Sequence, residues 1–442
     1  MTHTIGMISL GCAKNQVNAE HMLWLLRQAG YEISPDPDGA ELVIVNTCGF
    51  IESAKTEAID NILAMAQLKA EGRIQKILVT GCLAQRYQEE ILQEMPEVDG
   101  VLGTGSYFDV ANAVGQVLSG KRYKRFDDIN ADQSEDGRIL TTPEYYAYLK
   151  IAEGCDNHCA YCIIPKLRGK LRSRPIEELV KEAEQLAADG VKELIVVAQD
   201  TSRYGLDLYG ERKLAELLRQ LCRIDGLVWI RVHYLYPDEM SQELIDVLAN
   251  EPKIVKYLDI PIQHINDDIL RRMNRRGDIN DARRLLLRAR EMGFTLRTTF
   301  IVGFPGETQE DFQQLMDFTR EVRFDRMGAF KYSQEEDTPA AAMPDQVPEE
   351  IKEARLSQLM ALQADISREL NEQRVGSVCR VLVTGFDGML YTGRSEMEAP
   401  DSDGSILFTA PRELTPGEFV RVRIVRADTY DLYGKLCEEE EA

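Results

Sequence analysis

Strand-like and helix-like segments alternate through the first hundred residues, and a single cysteine closely follows each of three strand-like runs. Thr4 to Leu10 is a short apolar run, and Asn15 to Ala29 carries helical spacing through Val17, Met22, Leu25 and Leu26. Leu42 to Val45 and Lys76 to Val79 read as further strands, followed by helices near Glu52 to Ala70 and Ala84 to Met95. Such βαβ alternation predicts an open parallel sheet. The runs end in Ser-Leu-Gly-Cys12, Val-Asn-Thr-Cys48 and Val-Thr-Gly-Cys82, so the cysteines recur at intervals of 36 and 34 residues, about one βα unit each. Ligands of open parallel sheets collect at the carboxyl ends of the strands. One cysteine in such a loop is small, apolar filling. Three at equivalent places predict a three-thiolate site.

A second thiol set is more compact. Cys155, Cys159 and Cys162 lie in Glu-Gly-Cys-Asp-Asn-His-Cys-Ala-Tyr-Cys, directly after the apolar stretch Tyr146 to Ile151. Iron–sulfur clusters are usually held by four thiolates. Three ligands and no obvious fourth leave one iron open, and an open coordination position marks a reactive site rather than a structural one. Zinc is the rival, with His158 as fourth ligand. Zinc ligand pairs stand apart across a folded finger, whereas these four residues share one loop, so His158 is read as a loop residue.

After a polar stretch from Asp127, strand-like runs recur at Ala147 to Ile151, Glu193 to Ala198, Leu227 to Val232, Tyr257 to Ile262, Thr295 to Val302 and Arg326 to Tyr332. Helical patterns such as Ile176 to Ala188 and Asn280 to Met292 fill the gaps, and six βα repeats predict a barrel or a large part of one. Its strand ends carry the cysteine triplet, Gln199-Asp200, Arg231 with His233, Gln263-His264, and Gly303-Phe-Pro-Gly-Glu307. His233 and His264 fit either a pocket lining or a hydrogen-bonded place beside the rim. Gly303 and Gly306 read as a turn that also lets backbone approach a flat ligand. The helical pattern Ile351 to Asn371 carries an apolar stripe, Leu356, Leu359, Met360, Leu362 and Ile366, read as packing. Cys222, Cys379 and Cys437 are given no role.

Composition narrows the function. The 442 residues contain nine cysteines and no apolar run of membrane length, and the amino terminus lacks an export pattern. A cytoplasmic protein with thiols and metal ligands rather than disulfides is expected. The net charge of −22 suits attraction of a basic protein better than neutralisation of phosphates. The acidic tail Glu438 to Glu441 reads as a solvated end.

These motifs resemble a known family. The C-x3-C-x2-C at the end of the first barrel strand resembles the radical S-adenosylmethionine enzymes. The three single upstream cysteines and a small carboxyl-terminal β domain narrow this to the methylthiotransferases. The runs Ser9-Leu-Gly-Cys-Ala-Lys-Asn15, Val45-Asn-Thr-Cys-Gly-Phe-Ile51, Ala198-Gln-Asp-Thr-Ser-Arg-Tyr-Gly205, Asp259-Ile-Pro-Ile-Gln-His264 and Gly393-Arg-Ser395 resemble the RimO branch. Ala13 departs from the proline frequent there.

The resemblance implies an α/β fold in three parts: an open parallel sheet domain at residues 1–126 and, after a linker at 127–140, a radical-SAM (β/α)6 partial TIM barrel at 141–375 and a small TRAM β-barrel at 376–437. It implies a 4Fe-4S cluster on Cys155, Cys159 and Cys162 that binds S-adenosylmethionine, and a second on Cys12, Cys48 and Cys82 that holds the sulfur. A deoxyadenosyl radical would take hydrogen from the β-carbon of an aspartate in a small-subunit ribosomal protein, ribosomal protein twelve, to give 3-methylthioaspartate. A low-potential electron donor and a sulfur source are then needed. Tyr161, Gln199, Arg231, Ile301 and Gly303 are the expected S-adenosylmethionine contacts. The alternative substrate is a tRNA adenosine near the anticodon. Between Gly376 and Cys437 seven Lys and Arg face nine Asp and Glu, which favours a basic protein over RNA. Affinity for the protein substrate is therefore expected to fall as salt is raised, read by titration binding at two ionic strengths; a salt-independent affinity contradicts recruitment by charge.

Overall fold

The computed structural model describes residues 3–131 and 137–437. The acidic run 438–441 and residues 132–136 of the expected linker lie outside the described residues. In the amino-terminal domain β1 (Thr4–Ser9), β2 (Glu32–Ser34), β3 (Leu42–Thr47), β4 (Lys76–Gly81), β5 (Gly100–Leu102) and β6 (Tyr123–Arg125) form one sheet in the order β2-β1-β3-β4-β5-β6. Every pairing is parallel. The central strand β3 is buried on both faces, as a covered parallel sheet requires. Val43, Val45, Ile77 and Val79 pack with Ala58 and Ile62 of the helix Glu52–Ala70, while Ile5, Leu42, Ile44 and Leu78 meet Met22 and Leu26 of Ala13–Gln28 on the other side. The strands β2, β5 and β6 were not expected; three residues are too few to show a period. The single helix expected over Ala84 to Met95 is two, Cys82–Tyr87 and Glu89–Glu94, broken at Gln88 with φ +44°. Because the chain steps to opposite sides of β1 to reach β2 and β3, a crevice opens at the carboxyl ends of β1 and β3.

The middle of the chain adds β7 (Tyr146–Lys150), β8 (Ala152–Glu153), β9 (Arg172–Ser173), β10 (Glu193–Val197), β11 (Trp229–Val232), β12 (Tyr257–Asp259), β13 (Thr295–Val302) and β14 (Arg326–Lys331). Two parallel three-stranded sheets, β11-β10-β7 and β12-β13-β14, meet where the Val255 amide donates to the Ile230 carbonyl (3.0 Å) and the Leu235 amide to the Asp259 carbonyl (2.9 Å). The result is a six-stranded partial barrel with helices outside it. The antiparallel pair β8–β9 closes the neck of the cysteine-bearing loop. The long helix Glu349–Glu372 packs Leu356, Leu359, Leu362 and Ile366 of the expected stripe and adds polar residues to the buried face. It buries Lys352, Arg355, Gln363, Ser367 and Asn371 beside Leu359 and Ile366, because Arg355 pairs with buried Glu307 (2.7 Å) and Gln363 donates to the Phe324 carbonyl (2.7 Å).

The carboxyl-terminal strands β15 (Val378–Phe386), β16 (Tyr391–Arg394), β17 (Ile406–Thr409), β18 (Phe419–Ala427) and β19 (Leu432–Leu436) close into a barrel around Val381, Val383, Phe408, Val422 and Ile424. The segment after β16 plugs the amino-terminal mouth of the larger barrel. Glu193, the first residue of β10, accepts from Arg394 (2.7 Å) and Arg231 (2.9 Å). Glu398 accepts from Arg326 (2.9 Å) and Arg374 (2.5 Å), and the Tyr257 hydroxyl donates to Asp403 (2.6 Å). Among the described residues no helix is long and apolar enough to cross a membrane.

Burial alone would raise the Glu398 carboxyl, yet Arg374 and Arg326 hold it down at about 2, against 4.5 for a free glutamate. A carboxylate stronger in the folded state stabilises the fold above pH 4.5 and loses that contribution as pH falls toward 2. Glu398→Gln should lower stability by about 3 kcal/mol at neutral pH, since it leaves two guanidinium groups enclosed without their carboxylate. The difference from the parent, read by urea denaturation, should shrink as pH falls from 5 toward about 3.

Candidate metal centres

The three strand-end cysteines come to one place because β1, β3 and β4 are neighbours. Cys12 stands at the head of the helix Ala13–Gln28, Cys48 directly after β3, and Cys82 directly after β4. Their loops interlock through glycine. A Cβ on Gly11 would lie 2.9 Å from the Cys48 Cβ, one on Gly49 would lie 2.8 Å from the Leu83 amide nitrogen, and one on Gly81 would lie 2.4 Å from the Thr47 carbonyl oxygen. Gly11 and Gly81 also hold φ of +94° and +93°, where side chains are strained. Asn15 and Asn46 tie the loops together: the Asn15 amide donates to the Leu10 carbonyl (2.7 Å), and the Asn46 amide to the Asn15 carbonyl (3.0 Å). Burial, followed by the neighbouring Cys82, pushes the Cys48 thiol up to about 11. Burial raises Cys82 as well, against the opposing Arg168. Cys12 stands exposed, and Lys14 and Arg168 lower its thiol.

The second set shares one loop, which residues outside it hold in place. The Cys155 amide donates to the Gly169 carbonyl (3.1 Å), and the Ala160 amide to the Met273 carbonyl (2.8 Å). Asn157 donates to buried Asp200 (2.6 Å), and Cys159 Sγ lies 3.6 Å from the Tyr236 hydroxyl. Burial raises Cys155 to about 11, and burial with the Cys159 charge drives Cys162 far up. His158 is exposed with φ +50°, a loop residue as expected.

The donor sets fit clusters. Each consists of three soft free thiols, the donors that iron–sulfur clusters take. A cluster spreads its ligands over separate irons. Buried cations stand ready for the thiolates: Arg168 on Cys82, and Arg275, whose Nη1 has no hydrogen-bond partner, in the field of Cys159. The two sets also adjoin, because Cys82 packs against Ile163 and Leu167, the first of these next to Cys162.

The expected S-adenosylmethionine contacts separate into two groups. Tyr161 and Ile301 pack against the same apolar cluster of Ala160, Phe304 and Tyr332 beside the cysteine loop, and Gln199 donates to Glu153 (2.5 Å) two residues before Cys155. Arg231 lies elsewhere. It is fully enclosed, reaches back to Glu193, gives Nη1 to the Glu396 carbonyl (2.9 Å) and stacks on Tyr257, so it belongs to the joint with the small barrel. A Cβ on Gly303 would meet the Lys352 stem, and one on Gly306 the Arg272 guanidinium. His233 bonds Asp259 (2.9 Å), and His264 accepts from the Asn266 amide (3.0 Å); both are buried. Sequence reasoning missed Arg168, Glu153 and Lys14. It also passed over the glycine beside each single cysteine, a signal visible in the three motifs.

Three family descriptions match the chain: Radical SAM superfamily over residues 149–319, Uncharacterized protein family UPF0004 over 4–103, and TRAM domain over 375–437. Relatives named ribosomal protein uS12 methylthiotransferase RimO are similar along almost the whole length. One from Pelotomaculum thermopropionicum is 52% identical over 438 residues, covering 98% of each chain. One from Lachnoclostridium phytofermentans is 50% identical over 435 residues, covering 97% of this chain and 99% of its own. Among solved structures, the radical S-adenosylmethionine methyltransferase TsrM from Kitasatospora setae shares the fold with TM-score 0.55 at 15% identity, over 89% of this chain and 81% of that one.

The glycine interlock is open to a direct test. Gly81→Ala should destabilise by about 2 kcal/mol or more, from the left-handed backbone and the Thr47 collision together. Gly30→Ala has a similar φ of +89° with nothing within 4 Å and should lose only about 1 kcal/mol. Urea denaturation of both variants checks the order.

Proposed function

The chain belongs to the RimO family of ribosomal protein uS12 methylthiotransferases, and from that premise we infer that its own substrate is uS12, modified with a methylthio group at the β-carbon of an aspartate to give 3-methylthioaspartate. It is a radical S-adenosylmethionine enzyme, with iron–sulfur and S-adenosylmethionine as cofactors. The observation that supports transfer between two centres is the packing of Cys82 on Ile163 and Leu167, which sets one three-cysteine group against the other. Cys155, Cys159 and Cys162 would hold the cluster that binds S-adenosylmethionine, and Cys12, Cys48 and Cys82 a second 4Fe-4S cluster. Together these groups supply one-electron chemistry able to take hydrogen from an unactivated carbon and a place to carry the incoming sulfur.

The protein's own residues position and shield. Tyr161 and Ile301 would flank the adenine, with Phe304 and Tyr332 excluding water behind them. Gln199, held by Glu153, would meet the methionine end. Residues 1–126, 141–375 and 376–437 act as the three working parts. A low-potential electron donor and a sulfur source complete the reaction, in the cytoplasm. One observation favours the tRNA alternative: Arg380 stands directly opposite Arg421, and Arg423 opposite Lys435, on the outer side of the small barrel.

The test is an anaerobic assay of reconstituted protein with reductant, sulfide and S-adenosylmethionine, in which uS12 and tRNA compete and mass spectrometry reads both. Methylthio gain on uS12 alone is expected; gain on tRNA alone would refute the reading. Cys159→Ala should abolish 5′-deoxyadenosine formation. Cys48→Ala should retain it and lose methylthio transfer.

A further inference from the structure

Arg168 touches the machinery of both cysteine sets. It ends the helix Ile164–Arg168, which begins two residues after Cys162, and is only 3% exposed. Its Nε and Nη2 donate to Cys82 Sγ at 3.3 and 3.2 Å, across the domain boundary. Nη2 also donates to Asn15 Oδ1 (2.8 Å), and Nη1 to Glu153 Oε2 (3.2 Å). The next residue, Gly169, accepts the Cys155 amide through its carbonyl (3.1 Å). Two consecutive residues therefore contact one thiol-bearing residue from each set. The orientation is fixed from both domains. Lys150 Nζ bridges Glu153 (3.0 Å) and Asn18 (2.5 Å), and Gln199 holds the other Glu153 oxygen.

We propose that Arg168 is a positioning residue for the Cys12–Cys48–Cys82 centre, fixing the Cys82 sulfur by a paired hydrogen bond and raising the reduction potential of the cluster held there. The proposal rests on the reading that these three cysteines carry a cluster. Hydrogen bonds to a cluster's sulfurs and the net charge around it set its potential. Two N–H donors and a buried positive charge favour the reduced, more negative state. Lysine keeps the charge, but its compact ammonium lacks the guanidinium fork that meets Cys82, Asn15 and Glu153 together.

The experiment uses full-length, anaerobically reconstituted protein in which Cys155→Ala, Cys159→Ala and Cys162→Ala remove the other centre. Iron content, the electron paramagnetic resonance spectrum and the midpoint potential are measured with arginine at position 168 and for R168K and R168Q. The expected result is bound iron throughout, with the midpoint lowered in R168Q and less lowered in R168K. Bound iron with unchanged spectrum and midpoint in R168Q overturns the role of Arg168 and leaves the second cluster standing. No bound iron in the parent overturns both. If R168Q alone fails to take up iron, R168K decides: a lowered midpoint supports the proposal and an unchanged one refutes it.

Discussion

Enclosing a guanidinium costs several kcal/mol unless its donors and its charge are answered, and for Arg168 the answers come from two domains at once. Glu153 of the barrel supplies the carboxylate, while Asn15 and Cys82 of the open sheet take the remaining donors. Separating the domains would strand the charge and expose Cys82, Ile163 and Leu167 together. Lys14 repeats the exchange in the other direction, reaching from the first domain to stack 3.7 Å over the Tyr234 ring of the barrel. The two sheets, joined also by Val17 buried among Tyr146, Tyr148 and Val197 of the barrel, are thereby held with their carboxyl edges face to face, the arrangement on which a transfer between two centres depends.

The opposite mouth of the barrel is closed by the same physics. Six strands leave an incomplete cylinder, and the segment after β16 fills its amino-terminal end with Glu398 and Asp403, while Glu193 answers Arg231 and Arg394. Such buried pairs add little net stability over apolar packing, but removing one partner is severe. They fix the small barrel in one orientation. Gly393-Arg-Ser395, a mark of family resemblance in the sequence, is part of that joint: Arg394 meets Glu193, and Ser395 donates to Glu398 (2.6 Å).

What could be read from the sequence was local. Apolar runs and strand-end cysteines announced β1, β3, β4 and the barrel strands, because period and spacing lie within a few residues. The Arg168–Cys82 contact spans 86 residues and leaves no local trace. Arg231 was misplaced for a related reason: its position near a strand end does not say which way a long side chain runs, and it runs back to Glu193. At Gly303 and Gly306 the glycines signal close approach, and along the Cβ direction the neighbours are Lys352 and Arg272.

Net charge hides distribution in the small barrel in the same way. Its count of seven basic against nine acidic residues suggested an acidic docking module. Glu398 is buried, Asp403 is engaged by Tyr257 and Arg394 by Glu193, so none of the three offers a free charge to a partner and the remainder stays slightly acidic. On the outer wall Arg380 opposes Arg421 and Arg423 opposes Lys435, and like charges directly across a strand pair repel. Most of the chain's −22 lies outside this barrel, largely in the two larger domains, on whose facing strand ends the thiols stand.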